Sequence, residues 1–175
     1  NSITDKTSLI SVIHINNETG AENDLKRITE IAKANNIFVH SDAVQSYCKI
    51  KIDVNELPVD SLSFSAHKIG GPKGVGAVYF RTGTPVTPII YGGSQERNRR
   101  GGTENAASII GFAEAVKISS ELMNDSFTKI SSLRKYFING IENLNNNIVI
   151  NCKEISFPYI LSLTFPPEFY KTDAE

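Results

Sequence analysis

Asp60-Ser61-Leu62-Ser63-Phe64-Ser65-Ala66-His67-Lys68-Ile69-Gly70-Gly71-Pro72-Lys73-Gly74-Val75-Gly76 decides how this chain is built. Its first six residues alternate polar and apolar, the period of a half-buried strand. Ala66-His67-Lys68 then leads into a loop rich in glycine, and Ala77-Val78-Tyr79-Phe80 reads as a further strand. The loop fits neither GxGxxG nor a P-loop, and a strand rather than a helix follows it. It is therefore expected to be a hairpin-like connection that carries Lys68 near its start.

Upstream, Leu9-Ile10-Ser11-Val12-Ile13-His14-Ile15 is short and rich in β-branched residues, which predicts a buried strand. Asn16 to Gly20 is turn-rich. Asn23-Asp24 offers a helix cap; Leu25, Ile28, Ile31 and Ala32 follow at helical spacing, and Asn35-Asn36 ends the run. Ile37-Phe38-Val39-His40-Ser41 is the next predicted strand. Strand, helix, strand in this order predicts an α/β fold on a mainly parallel sheet. Downstream, Pro85, Pro88, Gly92, Gly93, Gly101 and Gly102 mark a long irregular stretch. Thr103 to about Asn143 then has an apolar helical stripe, with a break expected near Asn124-Asp125-Ser126. Asn147–Asn151 and Ile160–Phe165 read as strands of a second unit.

Composition narrows the function classes. The 175 residues hold 18 basic and 19 acidic side chains, a net charge of -1. That balance argues against a general nucleic-acid binder, which needs a basic surplus. No apolar run reaches the length of a bilayer span, and no membrane association is expected. Two cysteines, Cys48 and Cys152, are too few for a disulfide framework, and no CxxC pair offers a metal site. A cytoplasmic protein of a reducing compartment is expected. A strand-like run close to each end also raises the expectation of a piece cut from a longer chain.

Three polar clusters follow three predicted strands: Asn16-Asn17-Glu18, Asp42 to Gln45, and Ser65 to Lys68. The C-terminal ends of parallel strands share one edge, and ligands of such sheets bind along it. A pyridoxal phosphate site needs a lysine amine, an acid for the pyridine nitrogen, hydroxyls or amides for the phosphate, and a donor to the ring oxygen. Lys68, Asp42, Ser65 with His67, and Gln45 are the right types for these tasks. Each also has a plainer reading. Asp42 suits a helix N-cap, His67 an ordinary hydrogen-bonded histidine, Asn17 a turn former, and Lys68 a solvated lysine. Lys73 is the rival lysine, but it sits in a Gly-Pro-Lys-Gly turn. His14 and His40 lie within strands and read as structural.

The stretches His14 to Gly20, His40 to Ser46, Ser63 to Gly74, and Gly92-Gly93-Ser94-Gln95-Glu96-Arg97 through Arg100-Gly101-Gly102-Thr103-Glu104-Asn105 resemble the cysteine desulfurases. These are members of the class V aminotransferase family within fold type I. The resemblance covers nearly the whole chain in the right order, and SFSxHKxxGPKG is its most specific stretch. It implies pyridoxal 5'-phosphate as cofactor and a transferase-like large domain. Residues 1–110 would be the later portion of that domain. Residues 111–175 would be a linking helix and the start of a small α+β domain.

Carried over residue by residue, the resemblance makes Lys68 the Schiff-base lysine and gives Lys68 and His67 catalytic roles. Asp42 becomes the partner of the pyridine nitrogen and Gln45 the donor to the ring oxygen. Ser65 and His67 become phosphate ligands, and Asn17 a neighbour of the ring. Thr103 would reach the phosphate of the partner subunit in a homodimer, with Arg97, Arg99 and Arg100 in the dimer contact. The implied reaction takes sulfur from L-cysteine, leaves L-alanine, and passes the sulfur to an acceptor or iron-sulfur scaffold protein. The nucleophilic cysteine and the arginine for the substrate carboxylate match no position here, and neither Cys48 nor Cys152 takes the nucleophile's place. The 175-residue piece alone is therefore expected to lack turnover. A sibling pyridoxal enzyme and a non-catalytic dimerising fragment stand as alternatives.

Overall fold

The computed structural model describes residues 2–144, 147–154 and 156–169. The final residues of the 111–175 segment lie outside them. Four strands, β1 (Leu9–Ile13), β2 (Phe38–Asp42), β3 (Ser61–Ser65) and β4 (Gly76–Phe80), form one sheet in that order. β1, β2 and β3 run parallel, with Ile13 opposite Asp42 and Asp42 opposite Ser63. β4 runs antiparallel to β3, so the glycine loop does make a hairpin. Val39, Leu62, Ile37, Ala43, Val59 and Ala32 form the buried cluster beneath the sheet. Each fully buried Val or Leu among them contributes roughly 1.5–3 kcal/mol. Asp60 ties β2 to β3 at their start, accepting the Val39 N–H at Oδ2 (2.8 Å).

Helix α1 (Leu25–Ala34) connects β1 to β2. Asp24 caps it, accepting the Arg27 N–H at 3.0 Å. Its buried face is Leu25, Thr29 and Ala32 rather than the expected stripe with Ile31. Residues 25, 29 and 32 fall on one side of a 3.6-residue helix, which turns Ile31 outward to 45% exposure. Thr29 is tolerated inside because its hydroxyl donates to Lys26 O at 2.7 Å.

After β4 the chain makes a short turn α2 (Gln95–Asn98), in which Glu96 and Arg97 take positive φ. Two helices follow, α3 (Ala106–Glu121) and α4 (Met123–Leu144). Asn105 caps α3, accepting the Ser108 N–H at 3.2 Å. The break falls at Leu122, ahead of the expected Asn124-Asp125-Ser126. Those residues open α4, where Asp125 suits the positive end of the helix dipole. Arg134 of α4 donates to Ile160 O at 2.5 Å and to Ser156 Oγ, holding the 156–160 segment against the helix. β5 (Val149–Ile150) and β6 (Leu163–Thr164) pair antiparallel. They are shorter than expected, and Cys152 at φ 53 turns the chain away just past β5.

Candidate functional site

The lysine hairpin is built by close approach. A 3-10 turn at Ala66–Ile69 closes on Gly70, which is left-handed at φ 82, and the Gly71 N–H donates to Ala66 O at 2.9 Å. Gly76 faces Ser65 across the ladder, and a Cβ there would stand 2.7 Å from Phe64 O. Only glycine lets the two strands meet at this point. Helix α3 packs on the turn. Ala115 Cβ is 3.3 Å from where a Cβ on Gly71 would lie, and the Ser119 hydroxyl donates to Ile69 O at 3.2 Å.

On this support, Ser65 and His67 share a hydrogen bond between Oγ and Nδ1 at 2.6 Å. His67 and Lys68 are exposed, and the Lys68 amine makes no hydrogen bond or ion pair among the described residues. Lys73 is also exposed, in the turn beyond. Neither of two mapped cavities is lined by Lys68, Asp42 or Gln45, and the larger, about 730 Å3, opens between His14, Glu22, Lys51 and Phe127. The cluster is an open edge of the sheet.

Asp42 ends β2 next to β3. The Ala43 N–H donates to Ser63 O at 3.0 Å, and the His14 N–H donates to Asp42 O at 2.9 Å. The ends of β1, β2 and β3 thus lie side by side, as the three polar clusters required. No regular helix follows Asp42, so it is not a helix N-cap. Its Oδ1 instead accepts the Val44 N–H at 2.8 Å, an Asx turn. Oδ2 has no partner among the described residues. Gln45 follows in the same series of turns, its Oε1 accepting from Lys49 Nζ at 3.3 Å.

The other two histidines are held in hydrogen bonds, His40 in the middle of β2 and His14 just past the end of β1 rather than within it. His40 bridges Ser11 Oγ (Nδ1, 2.8 Å) and Ser63 Oγ (Nε2, 3.3 Å) across three strands. His14 Nδ1 lies 2.9 Å from Ser46 Oγ, whose hydroxyl can donate to Ala43 O at 3.2 Å. Burial pushes the His14 pKa down, and Glu22 only partly offsets that. Asn17 is exposed in the turn after β1, where Asn16 Oδ1 rather than Asn17 accepts the Glu18 and Thr19 N–H groups. Thr103 is exposed ahead of α3, and no hydrogen bond joins it to Lys68 among the described residues. Cys48 sits at φ 55, a left-handed backbone that favours glycine, and burial pushes its thiol pKa up.

Lys49 was missed in the sequence. It is half-buried, and burial followed by the charge of Lys68 lowers its pKa. Its only sequence signal is the four-residue spacing from Gln45, one turn of helix-like backbone.

The aminotransferase class-V family profile matches residues 1–167. A cysteine desulfurase IscS of Dictyoglomus turgidum is 46% identical over 145 residues, 83% of this chain and 37% of the relative. One of Methanosarcina thermophila is 44% identical over 141 residues, 81% of this chain and 35% of the relative. Among solved structures, a NifS-like protein superposes with TM-score 0.88 at 41% identity, over 94% of this chain and 46% of that one. DndA from Streptomyces lividans superposes with TM-score 0.85 at 32% identity, over 99% of this chain and 49% of that one. The chain spans less than half the length of the curated relatives it matches. The matched span contains β1 to β4, the lysine hairpin and all three strand-end clusters, and by it the chain belongs to the aminotransferase class-V family.

Proposed function

We propose that the protein is a pyridoxal 5'-phosphate-dependent cysteine desulfurase, with Lys68 attached to the cofactor. The observation that carries this is the donor set at one sheet edge. A free amine, a carboxylate oxygen of Asp42, the Gln45 amide and the Ser65–His67 pair each keep a polar group for a ligand. That set matches the ring nitrogen, ring oxygen, phosphate and aldehyde carbon of the cofactor in chemical type. The relatives named cysteine desulfurase support the choice of reaction.

Bound there, pyridoxal phosphate supplies an electron sink for the substrate's α-carbon. Asp42 Oδ2 would hold the proton on the ring nitrogen, while Oδ1 stays on the Val44 N–H and fixes the carboxylate. Gln45 Nε2 would donate to the ring oxygen, its Oε1 being taken by Lys49. Ser65 can accept from His67 through Oγ and still donate its own hydroxyl proton to the phosphate. Asn17 would stand beside the ring by the family resemblance. Lys68 would hold the cofactor and, once its amine is released by the substrate's own amine, would take the α-proton as general base. Overall, L-cysteine and an enzyme thiol become L-alanine and an enzyme persulfide, the sulfur moving from the substrate carbon to the thiol. The family resemblance puts that thiol at no position of these 175 residues.

The same reading makes the protein a homodimer, with Thr103 donated to the neighbouring phosphate and Arg97, Arg99 and Arg100 in the contact. It makes a sulfur acceptor or iron-sulfur scaffold protein the partner, and the cytoplasm the location. It also divides the chain at residues 110 and 111, with α3 and α4 linking the two domains. The test is to incubate the full-length protein, loaded with pyridoxal phosphate, with L-cysteine. Alanine and sulfane sulfur should appear in equal amounts. Turnover of selenocysteine or an amino-group acceptor without alanine from cysteine would overturn the reading.

A further inference from the structure

Lys49 presents a physical puzzle. A lysine ammonium is strongly hydrated and normally extends to water. This one is half-buried beside a like charge on Lys68, and both burial and that charge disfavour its protonated form. Three features fix it there. It stands one turn after Gln45, on backbone closed by the Lys49 N–H to Ser46 O (3.0 Å) and the Ile50 N–H to Ser46 O (3.1 Å). Its Nζ donates to Gln45 Oε1 at 3.3 Å. On its other side it lies 5.7 Å from the centre of the Tyr159 ring, and that ring stacks on Phe157 at 5.1 Å. A cation over an aromatic face is attracted to it, so the ammonium is anchored between the sheet edge and the 156–160 segment.

An ammonium has donors and no acceptor, so it must engage the oxygen of the Gln45 carboxamide and never its nitrogen. That choice sets which end of the amide remains. Without Lys49 the carboxamide is free to turn and offer either an oxygen or an NH2. We propose that Lys49 is a positioning residue, whose ammonium holds Gln45 Oε1 and so commits the Gln45 NH2 to donate to the cofactor's ring oxygen. This rests on the reading of Gln45 given above. The cation also polarises the amide, which strengthens its N–H donors.

The experiment uses the full-length protein loaded with pyridoxal phosphate, and follows the pH midpoint of the bound cofactor's visible absorbance band. Donation to the ring oxygen stabilises its negative charge, so loss of donor strength raises the midpoint. Lys49→Met should raise it by at least about half a pH unit, a threefold change in the equilibrium. Lys49→Arg, which keeps a charged donor, should return it most of the way. Lys49→Gln, which keeps a neutral donor, should give a smaller rise, and serves if Lys49→Met does not fold. Gln45→Leu should raise the midpoint too, and adding Lys49→Met to it should bring no further rise, because the one acts through the other. An unchanged midpoint in Lys49→Met with a raised one in Gln45→Leu overturns the role of Lys49 and leaves Gln45 in place. Rises that add in the double variant show Lys49 acting apart from Gln45 and overturn it as well. An unmoved midpoint in Gln45→Leu removes Gln45 from the ring oxygen, and this inference falls with that assignment.

Discussion

Ser65 Oγ and His67 Nδ1 lie 2.6 Å apart, one at the end of β3 and the other one residue before Lys68. The bond spans the step from strand to 3-10 turn, so the group that offers a hydroxyl is tied to the turn that offers the amine. Removing either partner should loosen both. Ser65→Ala and His67→Ala should each weaken pyridoxal phosphate binding by about tenfold, the worth of one hydrogen bond to an anion. Titration of the apoprotein with the cofactor, followed by absorbance, measures this; unchanged affinity in both variants would remove the pair from the phosphate.

Asp42 carries two duties that one substitution separates. Asn at this position keeps an oxygen for the Val44 N–H, so the turn survives. It cannot hold a proton on the ring nitrogen by charge. Asp42→Asn should therefore keep the circular dichroism spectrum and lower kcat by at least about a hundredfold, the scale of a lost electrostatic contact to the reacting system. Near-parental kcat would show that Asp42 serves the turn alone.

Gly76 tests the hairpin. An alanine methyl would meet Phe64 O at 2.7 Å, a backbone atom with no room to retreat. Gly76→Ala should destabilise the protein by about 1–3 kcal/mol in urea unfolding, and should weaken cofactor binding through Ser65, its partner across the ladder. Unchanged stability would mean that the strands part at little cost.

The strand ends were readable because their signals are local. Alternation marked β3, a β-branched run marked β1, and the parallel order followed from strand, helix, strand. Those rules alone put Asp42, Gln45 and Lys68 at one edge. The inward face of α1 was misread because Ile31 is apolar yet turned out, and Thr29 is polar yet satisfied by Lys26 O. Asp42 reads first as a helix cap and only second as a ligand, although either uses a carboxylate at a strand end. Lys49 was hidden because its meaning lies in two long-range neighbours, Lys68 and Tyr159, that no spacing announces.

His14 gives the fold a pH dependence. Burial lowers its pKa below the ordinary 6.5, so the unfolded chain binds a proton more readily than the folded one. Stability should then fall as pH drops from about 6.5 toward the lower folded value, and should be level with respect to this group above it. His14→Gln, which keeps a donor toward Ser46, should flatten that slope in thermal unfolding between pH 7 and pH 5. A slope equal to the parent's would place its origin elsewhere.

Everything proposed for this site depends on Lys68 rather than Lys73 or Lys49 holding the cofactor. The direct measurement is borohydride reduction of the pyridoxal phosphate-loaded protein, then peptide mass mapping. The pyridoxyl group should sit on the peptide at Lys68, and Lys68→Ala should abolish both label and visible band. A label on Lys73 or Lys49, or a band that survives Lys68→Ala, would contradict the assignment.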